Sequence, residues 1–107
     1  MDVELLVVAD CPNEAPAAHL LRRALDDVGL STTRFSTVIV TGPENAERLG
    51  FTGSPTIRID GVDPFAEPAR PPGLACRLYR TTAGLAGTPD LSTLRQALRQ
   101  AAVGTTA

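Results

Sequence analysis

The chain has no lysine and no tryptophan, and its 107 residues include one histidine, one methionine, one tyrosine and two cysteines. One histidine and two cysteines far apart in sequence do not complete a tetrahedral zinc set, so no metal and no cofactor is expected. All ten basic residues are arginines, scattered singly or in pairs. With a net charge of −2 they make no electrostatic footprint for nucleic acid or an anionic membrane. No apolar run approaches the ~20 residues of a membrane span. No charged-then-apolar leader opens the sequence either, which makes the cytoplasm the expected location. In that setting two cysteines are expected as reduced thiols rather than as a structural disulfide.

What is present is ordinary for a soluble globular protein: 43% apolar residues, 21% charged and a mean hydropathy near zero. The length suits one domain over residues 1–107, with a single core. Residues 3–9 are short, β-branched and mostly apolar, which predicts a buried strand. Ala17, Leu20, Leu21, Ala24, Leu25 and Val28 then recur at helical spacing, with Gly29 placed to end the helix. If Asn13 is the N-cap, Pro16 falls in the first turn, where it is tolerated. Residues 30–40 have strand-like composition, and a short helix follows from Pro43, ending before Gly50. Residues 56–59 predict a third strand. The four prolines in 62–73 predict a loop of restricted backbone freedom. Residues 75–81 alternate and predict a strand paired antiparallel with residues 56–60. Thr88, Pro89 and Asp90 open a last helix, with residues 103–107 expected as a frayed tail.

The predicted order is β-α-β-α-β-β-α: an α/β fold with a four-stranded mixed sheet flanked by three helices. Cys11 falls on the turn between the first strand and first helix. There the unpaired N–H groups and positive end of the helix favour thiolate over thiol, which makes Cys11 the leading nucleophile. Glu14 is placed either to complement the first helical turn or to donate or accept a proton beside the sulfur. Cys76 in a simple hairpin would lie opposite Asp60, about 13 Å along the strand from Pro55 at ~3.3 Å per residue. That exceeds the ~7 Å Cα separation a disulfide tolerates, unless the proline-rich loop shifts the register. His19 reads as a helix-surface histidine.

The element order, Cys11-Pro12 before the first helix and Gly53-Ser54-Pro55-Thr56 before the third strand resemble the thioredoxin and glutaredoxin superfamily over residues 3–101. The resemblance implies a thioredoxin-like fold in which Pro55 is a cis-proline facing the nucleophile Cys11. It also implies a substrate groove formed with Pro12, Ser54 and Thr56. Glu14 stands where the dithiol motif has its second cysteine, so a mixed disulfide at Cys11 must be resolved by Cys76, by glutathione or another small thiol, or by a second chain. The leading expectation is a single-cysteine protein forming mixed disulfides or thiol adducts with a small thiol or a partner protein. Cys11, Glu14 and Cys76 also resemble the cysteine, acid and cysteine set of organomercurial lyases, which implies carbon–mercury cleavage by two thiolates and a proton donor. A non-catalytic binding or carrier module is the third expectation.

Overall fold

The computed structural model describes residues 1–105. Five strands and three helices alternate in the order β1 (Val3–Val7), α1 (Glu14–Asp27), β2 (Phe35–Ile39), α2 (Pro43–Leu49), β3 (Thr56–Ile59), β4 (Tyr79–Thr81), β5 (Gly84–Ala86) and α3 (Leu91–Thr105). β1 is the centre of a three-stranded sheet of order β2-β1-β3, parallel to β2 and antiparallel to β3. β4 and β5 form a separate antiparallel ribbon. The fold is thus α/β with mixed pairing and three helices, but its strands are divided between a sheet of three and a ribbon of two.

The helical stripe in α1 buries Ala17, Leu21, Ala24 and Leu25 completely, against Leu5, Val7, Ile57 and the α3 residues Leu94 and Leu98. Each fully buried leucine stabilises the fold by roughly 1.5–3 kcal/mol. A second cluster, Leu6, Val40, Ala46 and Phe51, packs α2 against the sheet. β1 therefore sends alternate residues into two cores, as its short apolar sequence requires.

Three expectations need correction. Strand β2 begins at Phe35 rather than near residue 30, because the preceding residues fold into turns closed by Leu30 N–H to Leu25 O (2.8 Å) and Thr33 N–H to Leu30 O (3.0 Å). Arg22 holds this loop by donating to the carbonyls of Leu30, Ser31 and Thr33. The expected frayed tail is helical as far as Thr105, although Val103 is 71% exposed; residues 106 and 107 lie outside the described residues.

The third correction decides the site. Residues 75–81 do not run antiparallel along β3. Cys76 pairs instead with Ser54 in a single parallel bridge, by Ser54 N–H to Ala75 O and Arg77 N–H to Ser54 O, both 3.0 Å. The cause is a buried arginine. Arg77, 3% exposed, donates to Asp63 Oδ2 at 2.6 Å, to the Phe65 carbonyl at 2.6 Å and to Thr56 Oγ1 at 3.1 Å. Those bonds hold the segment against the loop and the start of β3, and only Tyr79–Thr81 continues as strand. Its partner β5 follows a two-residue turn at Thr82 and Ala83, fixed by Thr82 N–H to Asp90 Oδ2 at 2.9 Å.

Candidate functional site

Cys11 lies in the turn between β1 and α1, after Asp10 at a φ of +60°. Its carbonyl accepts from Glu14 N–H at 3.2 Å, which closes the turn that starts the helix. Asn13 holds the N-cap position and Pro16 the third helical position, where no intrahelical donor is lost. The Asn13 side chain makes no capping bond. It lies instead against Gly87, where a Cβ would stand 2.4 Å from Asn13 Nδ2. The ribbon's exit is thereby set against the cysteine turn. Cys11 is 9% exposed and belongs to the α1–α3 core cluster; Pro12 is exposed and Glu14 half-buried.

The other side of the site is the corner entering β3. The Ser54–Pro55 peptide bond is cis, and Gly53, Ser54, Pro55 and Thr56 are all buried. Ser54 Oγ accepts from Val8 N–H at 3.1 Å, tying this corner to the end of β1 three residues before Cys11. Thr56 Oγ1 donates to Gly53 O at 2.7 Å and accepts from Arg77. Gly53, at a φ of +145°, lets residues 75–77 approach so closely that a Cβ there would stand 2.9 Å from Arg77 Cβ.

Tyr79 completes the corner from the ribbon. Its hydroxyl donates to the Pro55 carbonyl at 2.5 Å, Phe65 meets its ring edge-on at 5.6 Å, and the Arg77 guanidinium lies 4.6 Å from the ring centroid. Burial holds the phenol well above the ordinary tyrosine range, and the Asp63 carboxylate adds to that against the opposing charges of Arg77 and Arg70.

Cys76 sits opposite Ser54 rather than Asp60, and it is exposed. It lines an outer groove with Thr52, Arg70, Pro71, Pro72 and Leu78, and Cys11 does not line that groove. Both cysteines are free thiols. Among the described residues, no three His, Cys, Asp or Glu side chains are grouped so as to hold a metal ion. His19 is exposed on α1.

The sequence reading did not identify Arg77, Asp63 and Tyr79. The signal for two of them lay in the alternation of residues 75–81. Its inward set is Arg77 and Tyr79, while Cys76 and Leu78 face out. Hydrophobicity alone favours the opposite face, and nothing local to residue 77 announces an acid 14 residues away at Asp63.

Comparison with models of known families, with curated proteins and with solved structures finds no match to this chain.

Proposed function

We propose that this chain is a thioredoxin-like, single-thiol exchange protein whose nucleophile is Cys11. The observation that carries the reading is the position of Cys11 in the turn that leads into the 14-residue helix α1, two residues before its N-cap Asn13 and beside a β1 end tied through Val8 N–H to Ser54 Oγ. The β2-β1-β3 order and the cis Ser54–Pro55 corner are compatible with a thioredoxin-like topology in which the place of a fourth strand is occupied only at Ser54 and Ile59.

The chemistry is exchange without net oxidation. The Cys11 thiolate attacks one sulfur of a disulfide, forming a protein mixed disulfide while the other sulfur leaves as thiolate. A second small thiol, as thiolate, attacks the mixed disulfide and regenerates Cys11. No second cysteine stands on the first helical turn, since Glu14 occupies that place. Resolution by an external small thiol fits a reducing compartment such as the cytoplasm, where such thiols are abundant. Glu14 is the acid of the first turn of α1 and complements the positive end of that helix.

The test is incubation of the reduced protein with glutathione disulfide, followed by peptide mapping by mass spectrometry. The expected product is a glutathione adduct at Cys11 that added glutathione removes. A Cys11 that stays unmodified while the exposed Cys76 is fully modified overturns the reading.

A further inference from the structure

The sheet edge that adjoins the cysteine turn is already occupied by this chain's own backbone. Both backbone groups of Ser54 are used by residues 75–77, its N–H by Ala75 O and its C=O by Arg77 N–H. At the far end of β3, Ile59 exchanges both of its bonds with Val62, at 2.9 and 3.1 Å. Ile57 between them is 0% exposed, and the Arg77 guanidinium is bonded beside it to Thr56 Oγ1, Asp63 and the Phe65 carbonyl. An added strand needs a row of free, accessible N–H and C=O groups; on this edge the groups of Ser54 and Ile59 are already used and Ile57 is buried.

Mixed-disulfide geometry adds a second constraint. A disulfide holds its two Cα atoms about 4.4–6.8 Å apart, so a cysteine in a protein partner must bring its own backbone to within ~7 Å of the Cys11 Cα. Cys11 is only 9% exposed, and the ribbon's exit at Gly87 is packed on Asn13, two residues along. We infer that residues 75–77, latched by Arg77, act as a built-in occupant of the β3 edge and restrict Cys11 to low-molecular-weight disulfides and thiols, excluding cysteines in extended or folded polypeptides. This rests on the exchange reading of Cys11 and names its substrate class.

The experiment measures mixed-disulfide formation at Cys11, resolved from Cys76 by peptide mapping, with hydroxyethyl disulfide and with a disulfide-linked peptide of about ten residues. Each rate is divided by the rate of N-acetylcysteine with the same reagent. The expected result is a normalised rate at Cys11 at least tenfold higher for hydroxyethyl disulfide than for the peptide. The Arg77→Met variant, checked for a cooperative thermal transition, is expected to bring the two rates within about threefold. Equal normalised rates in the wild-type chain leave the exchange reading standing and overturn the size restriction. A preference that persists unchanged in folded Arg77→Met overturns the assignment of the restriction to residues 75–77. Exchange at Cys11 with neither reagent overturns the exchange reading itself, and this inference with it.

Discussion

Arg77 and Asp63 form a 2.6 Å ion pair in which the arginine side chain is 3% exposed and the aspartate 15%. When one partner of a buried ion pair is removed, the charge left behind costs more the more deeply it is buried. Asp63→Ala is therefore expected to destabilise the fold by about 2–4 kcal/mol, and Arg77→Met by clearly less. In Arg77→Met the remaining carboxylate keeps its bond from Phe65 N–H and some access to water. Urea denaturation of the two variants checks the order, and a larger loss in Arg77→Met contradicts it.

The phenol of Tyr79 supplies a pH signature, because it is the chain's only tyrosine. Its burial raises the folded-state pKa above the ordinary value of 10.0. The neutral phenol is then favoured in the folded state, so its contribution to stability is complete below about pH 10. It is lost as pH rises from the unfolded value toward the folded one. Absorbance at 295 nm is expected to show no tyrosinate in the folded protein at pH 10.5, and ionisation there only on unfolding in urea. A normal titration near pH 10 in the folded protein contradicts the buried bond to Pro55.

Ser54 joins two chain segments through its hydroxyl, which accepts from Val8 N–H. Ser54→Ala leaves that donor unpaired at a half-buried site and is expected to cost about 1–2 kcal/mol. The loss is read in the urea midpoint at unchanged m-value, while Ser54→Thr, which keeps the acceptor, tests whether the hydroxyl or the side-chain volume matters.

Asn13 and Gly87 are expected to be coupled. Gly87→Ala places a methyl where the Asn13 amide lies, at a cost of about 1–2 kcal/mol from overpacking. In an Asn13→Ala background the three atoms nearest that methyl are gone, and the same substitution is expected to cost clearly less, by the logic of contacting residues in a double-mutant cycle. Additive effects would remove the ribbon from the cysteine turn.

Much of the architecture is legible in the sequence because it is local. The stripe of Ala17, Leu21, Ala24 and Leu25 appears as the buried face of α1, and Pro43 with Gly50 bounds α2. Cys11 falls on the turn that its neighbours predict. The ribbon was not legible, since its two strands are three residues each and β5 is Gly84, Leu85 and Ala86, without strand-forming composition. Nor was the register of Cys76. A simple hairpin would place it opposite Asp60, but Arg77 binds an acid in the intervening loop and draws residues 75–77 to Ser54 instead. Asp90 shows the same limit: its carboxylate fixes the turn at Thr82 rather than serving only the start of α3.

The most direct test of the central claim is turnover of hydroxyethyl disulfide by excess glutathione, measured with the wild-type chain, Cys11→Ser and Cys76→Ser. The account predicts that Cys76→Ser stays within twofold of the wild-type rate and that Cys11→Ser falls to the uncatalysed background. Turnover retained by a folded Cys11→Ser chain, or lost in Cys76→Ser, would contradict exchange centred on Cys11.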